Sequence, residues 1–218
     1  MNQREIETPT VELIEEAIDG GDPDRAKRLL RSMAGDWERN KDYSINWITS
    51  LLSFIGRELG EPAVERALRD FGDRYLRDRR ATTADLPRRT VMEGVARAMK
   101  ANGADVEFAE EDDRWVLSFR CGSGGKLIDE GAYGPPRDYL TLRQVSPMTF
   151  GRDELPVYCA HCSVNNEIEP IEQTGAPITV EFPPERAGER CVHHIYKDGV
   201  RPPEEIYRRA GKESPAQR

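Results

Sequence analysis

Eleven of the 15 prolines lie beyond Gly103, together with all four cysteines and all three histidines. That asymmetry constrains the fold more than any other feature of the chain. Proline removes an amide donor and clashes with the preceding helical turn, so a segment punctuated by it every few residues cannot build long helices or central strands. The part before Gly103 is free of this restriction and reads as helices.

Asp22-Pro23 is a helix start, the acid as N-cap and proline at the first helical position. Leu29, Leu30 and Met33 then give one apolar stripe. The stretch SINWITSLLSFIGRELG places Trp47, Leu51, Phe54, Ile55 and Leu59 at helical spacing and stops at Gly60. Glu61-Pro62 restarts the chain, with Val64, Leu68, Phe71 and Tyr75 on one face. Thr10 is placed to cap an earlier short helix through Leu13, Ile14, Ala17 and Ile18, and a last helix runs from near Pro87 with Val91, Val95 and Met99 inward. Gly94 weakens that last helix in its middle. Each stripe is expected to be core.

After Gly103, ADVEFAEEDDRWVLSFR predicts a β-hairpin. Val106 and Phe108 precede a polar turn, and Trp115, Leu117 and Phe119 alternate after it. YLTLRQV, ITVEF and CVHHIY have strand character, with proline pairs between them. The predicted class is α+β: a helical N-terminal half over 1–103, a small antiparallel sheet carrying a Cys-rich metal site over 104–210, and a flexible tail over 211–218.

Charge and hydropathy narrow the partners. A net charge of -8 leaves no clustered excess of Lys and Arg for phosphate contacts, which excludes sequence-independent nucleic-acid binding. Mean hydropathy is -0.72, and no apolar run approaches the roughly 20 residues that cross a bilayer. MNQREIETPT lacks the apolar segment of a secretory signal, so a cytoplasmic location with reduced thiols is expected. A small-molecule ligand is the expected partner, and a homo-oligomer is compatible with this composition.

In a reducing compartment four thiols in one segment point to metal rather than to disulfides. Cys121, Cys159, Cys162 and Cys191 are spaced C-x37-C-x2-C-x28-C. The C-x2-C turn of YCAHC can aim two sulfurs at one Zn²⁺, while Cys121 and Cys191 stand singly, unlike the double C-x2-C of a zinc ribbon. One zinc held by all four is the expectation. Three alternatives stay open: inert buried thiols, three ligands plus an open catalytic position, and iron–sulfur ligation by the same donors. A thioredoxin-like dithiol is disfavoured because that motif opens a helix, whereas YCAHC reads as preceding a turn. CGSGG lacks the Walker spacing and a following helix, and Ser123 lacks the nucleophile-elbow frame.

His161, His193 and Glu167 are the candidates for acid–base work near the thiols, with Tyr158 beside them. In a strand His193 shares a face with Cys191, and His194 does not. The bland reading of Glu167 is a solvent-facing turn residue.

At CGSGG, YCAHC and the closing C-x-H the chain resembles a bacterial protein group sharing CGSGG…YCxHC…C. It is distantly similar to the family named for L-2-amino-thiazoline-4-carboxylate hydrolase and to vinyl-reductase-type small-molecule-binding domains. The resemblance covers mainly residues 115–197. It implies a helical lead-in, a small sheet and a small-molecule site, and assigns neither substrate nor catalytic residue. Two functions are therefore expected: a zinc-dependent hydrolase or lyase of a small molecule, or a non-catalytic sensor or interaction module whose zinc, held by four cysteines, is purely structural.

Overall fold

The computed structural model describes residues 3–214, so positions 215–218 of the expected tail lie outside the described residues. The protein is α+β. Helices α1 (Gln3–Glu7), α2 (Thr10–Asp19), α3 (Pro23–Leu59), α4 (Glu61–Phe71), α5 (Arg77–Ala84) and α6 (Arg88–Ala101) precede a hairpin of β1 (Asp105–Glu110) and β2 (Arg114–Arg120). A short α7 (Gly124–Asp129) and two-residue strands β3 (Thr141–Leu142) and β4 (Leu155–Pro156) follow. Residues 157–174 then form one helical run: a 3-10 turn, α8 (Ala160–Cys162), a π-helical segment Ser163–Ile168 and α9 (Glu169–Thr174). The chain closes with β5 (Val180–Phe182), β6 (Cys191–Tyr196) and α10 (Glu204–Arg209). None of the described helices is long and apolar enough to cross a membrane.

Two compact units result, one ending at Asn46 and one beginning at Trp47, with the boundary inside α3. In the first unit α2 buries Leu13, Ile14 and Ala17, while Ile18 and Leu30 stay exposed. Pro9, not Thr10, occupies the position before α2 and makes no side-chain cap. Asp22 caps α3 as expected, its Oδ1 accepting the Arg25 amide at 2.9 Å.

The second unit corrects the inward face of α3. Trp47, Leu51, Phe54 and Leu59 are exposed, and the buried residues are Thr49, Leu52 and Ser53 beside Gly56. The reason is close approach. A Cβ on Gly56 would stand 2.2 Å from Leu140 Cδ2, and the Ser53 hydroxyl accepts the Leu140 amide at 3.0 Å. Small residues let a loop lie against the helix and satisfy its backbone, which apolar periodicity cannot report. Along the same lines, Val64 and Leu68 of α4 are buried whereas Phe71 and Tyr75 are exposed and stack on each other at 5.4 Å.

Four antiparallel strands form the main sheet in the order β1-β2-β6-β5. On one face Trp115, Leu117 and Phe119 of β2 lie opposite Ile195, His193 and Cys191 of β6, and His193 lies opposite Glu181 of β5. That face joins Met92 of α6 in one hydrophobic core, with Val95 and Met99 packed against it. A second core gathers Leu52, Val64 and Leu68 with Leu142, Leu155, Val157 and Cys159. Cys191 belongs to the first core and Cys159 to the second, so the thiols lie where the two meet.

Candidate functional site

Three local devices deliver the four cysteines. Cys121 ends the β2 arm, and the CGSGG loop turns directly into α7, so a helix does follow it. Its glycines clear space. A Cβ on Gly122 would meet the Asn102 carbonyl oxygen at 1.9 Å, one on Gly124 the Cys159 sulfur at 3.1 Å, and one on Gly125 the Cys121 Cβ at 2.9 Å. Cys159 and Cys162 open the helical run 157–174 in place of the turn expected after YCAHC, but the strands around it pair antiparallel and form no βαβ unit. Cys191 begins β6.

The four thiols line one chamber of about 110 Å³, together with His161, His193, Tyr158 and Asn166. All four are free, Cys159 and Cys191 buried and the other two half-buried. Cys121 Sγ lies 3.1 Å from Ser123 Oγ, and Cys162 Sγ lies 3.5 Å from His161 Nε2. Burial, then the neighbouring Cys121, pushes the Cys159 thiol up. Burial followed by the Glu181 carboxylate does the same to Cys162 and Cys191. Among the described residues, however, no group of three or more His, Cys, Asp or Glu side chains is placed so that it could hold a metal ion. The donor set, four thiols with two imidazoles on one chamber, suits a thiophilic ion in kind.

Of the predicted acid–base residues, His161 and His193 reach the chamber and Glu167 does not. The His161 ring is tied back through Nδ1 to the Tyr158 carbonyl. Glu167 is 1% exposed rather than solvent-facing. It pairs with Arg209 through both oxygens and accepts the Glu181 amide at 2.7 Å. Burial raises its carboxyl to about 7 despite Arg209. His194 lies on the far face of the strand, against Phe182 at 4.8 Å between ring centroids.

Sequence reasoning missed the carboxylate that stands beside His193. Glu181 is fully enclosed, with His193 Nε2 3.5 Å from its Oε1. Oε1 also accepts Asn166 Nδ2 at 2.7 Å and Thr179 Oγ1 at 2.8 Å. Burial alone would raise the Glu181 carboxyl, but His193, the Cys162 thiol, Thr179 and His161 together hold it below its ordinary value. Burial pushes the His193 imidazole down against the pull of Glu181, and Phe119 meets its ring edge-on at 4.7 Å. Glu181 Oε2 and His193 Nδ1 have no hydrogen-bond partner among the described residues. The only sequence signal was the alternation in ITVEF that sets Thr179 and Glu181 on one face, too short a pattern to separate an inward carboxylate from an outward one.

Beyond Glu181 and His193 lies a second cavity of about 440 Å³, between α5, α6 and the sheet. His193 and Asn166 line both spaces. The π-helical segment makes this possible. Adjacent Asn165 and Asn166 reach different partners, Asn165 accepting from Arg80 at 3.0 Å and Asn166 donating to Glu181. Such π segments recur at functional sites. Compared with known proteins, the chain matches no family model, no curated protein and no solved structure.

Proposed function

We propose that this protein binds zinc through Cys121, Cys159, Cys162 and Cys191, and acts as a hydrolase or lyase on a small molecule held in the adjoining cavity. One observation carries the reading: His193, with the buried Glu181 carboxylate beside it, lines both the thiol chamber and the larger cavity. A volume of about 440 Å³ falls in the range of roughly 300–1,000 Å³ common to small-molecule sites, with mostly apolar lining and a few convergent polar groups. A carboxylate set 3.5 Å from an imidazole can orient a histidine to move a proton at a bound ligand. His193 fills that role, replacing Glu167, which is turned to Arg209.

Four thiolates complete a tetrahedral zinc sphere, leaving no position for water. Held there, the ion would tie Cys121, β6 and the helical run together, and proton transfer would fall to Glu181 and His193. Zinc would also contribute folding free energy to a small, loop-rich sheet. Metal analysis of protein purified without added zinc should give close to one ion per chain. X-ray absorption should give sulfur neighbours at about 2.3 Å. Cys121→Ser and Cys191→Ser should each lower metal content and thermal stability; wild-type levels of both in the two variants would refute the site.

A further inference from the structure

Arg80 is 2% exposed, and its guanidinium is only partly satisfied. Nη2 donates to Glu169 Oε2 at 2.5 Å and to Asn165 Oδ1 at 3.0 Å, while Nε and Nη1 have no partner among the described residues. Arg88, a second largely buried arginine, provides the contrast. Its Nε and Nη2 are bonded to the carbonyls of Tyr196 and Ile178 at 3.1 and 2.7 Å. Buried donors left unpaired on a charged group are costly and call for an explanation.

The Arg80 side chain lines the cavity of about 440 Å³, as do Arg79 and Arg97. Among the described residues, Glu181 is the only carboxylate in that lining. Counting Glu169, which pairs with Arg80 from outside the lining, three cations face two anions. The remainder is one positive charge. Leu86, Val91, Val95 and Ile178 add apolar surface to the same lining.

We propose that this cavity takes a small monocarboxylic acid with an apolar body, its carboxylate anchored on the free edge of Arg80. A monoanion matches the single unbalanced charge, and the nearby Glu181 carboxylate opposes a phosphate dianion. Guanidinium is suited to this contact because it stays charged and presents planar donors that fit a carboxylate. The inference rests on the reading that the cavity beside the thiols is the ligand site, and not on the metal.

Calorimetric titration of the full-length protein with propionate, benzoate and 3-phenylpropionate tests it, with benzamide and phenyl phosphate as controls. At least one carboxylate should bind saturably, benzamide should not, and phenyl phosphate should be weaker. Arg80→Lys should reduce carboxylate affinity at least tenfold. Should that variant fail to fold by circular dichroism, Val95→Trp, which fills the cavity from α6, should abolish binding instead. Zinc content should equal wild type in whichever variant folds. Equal binding of benzoate and benzamide, tighter binding of phenyl phosphate, no binding by any carboxylate, or unchanged affinity in the folded variant would each overturn the proposal. Carboxylate binding by wild-type protein that is found to carry no zinc would leave it standing and overturn only the metal site.

Discussion

Alanine at Gly122 should destabilise this protein and scatter its thiols, because at this position the backbone itself stands in the way. The added Cβ would lie 1.9 Å from the Asn102 carbonyl oxygen, about 1.5 Å short of the 3.4 Å at which ordinary contact begins. The Asn102 carbonyl carbon at 2.9 Å and Gly103 at 3.1 Å close the other ways out. Asn102 cannot simply retreat: its amide is bonded to the carbonyls of Ala98 and Met99 at the end of α6. Relief therefore requires the CGSGG loop to move, taking Cys121 with it. Overpacking of a fixed site costs about 1–3 kcal/mol, occasionally more, and a clash with backbone belongs at the upper end. For a unit of this size that corresponds to a fall in Tm of roughly 6–12 °C. Gly94→Ala is the matched control. It lies inside α6 with nothing within 4 Å of its Cβ, so it should stabilise by about 0.5–1 kcal/mol through helix propensity. Urea denaturation with unchanged m-values measures both, and thiol titration with a chromogenic disulfide reports whether Cys121 has become more accessible. If Gly122→Ala matches wild type in midpoint and thiol reactivity, the packing argument is refuted.

Glu167 gives a pH dependence of known sign. Its carboxyl is raised from 4.5 to about 7 in the folded chain, so between those values the folded state holds a proton the unfolded state has lost, and this group's contribution falls as pH rises. Glu167→Gln cannot ionise and should gain on wild type from pH 5 to pH 8 in urea unfolding; a constant gap would contradict the assignment. The histidines separate the two faces of β6. Under a chelator challenge His194→Ala should retain zinc like wild type, since that ring rests on Phe182, whereas His193→Ala should lose it faster; the reverse order would sink the placement.

The helices α2, α3, α4 and α6 and the hairpin follow from the sequence alone, while α7 to α10 do not. Asp22-Pro23, Gly60 and Pro87 set boundaries through local backbone chemistry that tertiary contacts do not alter, and α6 begins one residue after Pro87. The hairpin register from Asp105 to Arg120 obeys the period-2 pattern read around EEDD. The convergence of four cysteines could be inferred from their grouping after Gly103, because a short proline-rich segment has few places to put them.

What the tertiary structure decided is which side of each element faces inward, and which charges meet. On α3 an apolar stripe lost to Thr49, Ser53 and Gly56, since the approach of Leu140 rewards small side chains over large ones. Glu167 and Glu181 are indistinguishable as letters, yet one is held by Arg209 and the other faces His193, 12 residues away in sequence and 3.5 Å away in space. Arg80 and Glu169 are 89 positions apart and meet only because Gly72 leaves room, where a Cβ would stand 2.1 Å from Glu169 Oε2. Pairings of this kind depend on sequence separations that no local pattern encodes, and they are fixed only when the sheet and the helical run close on each other.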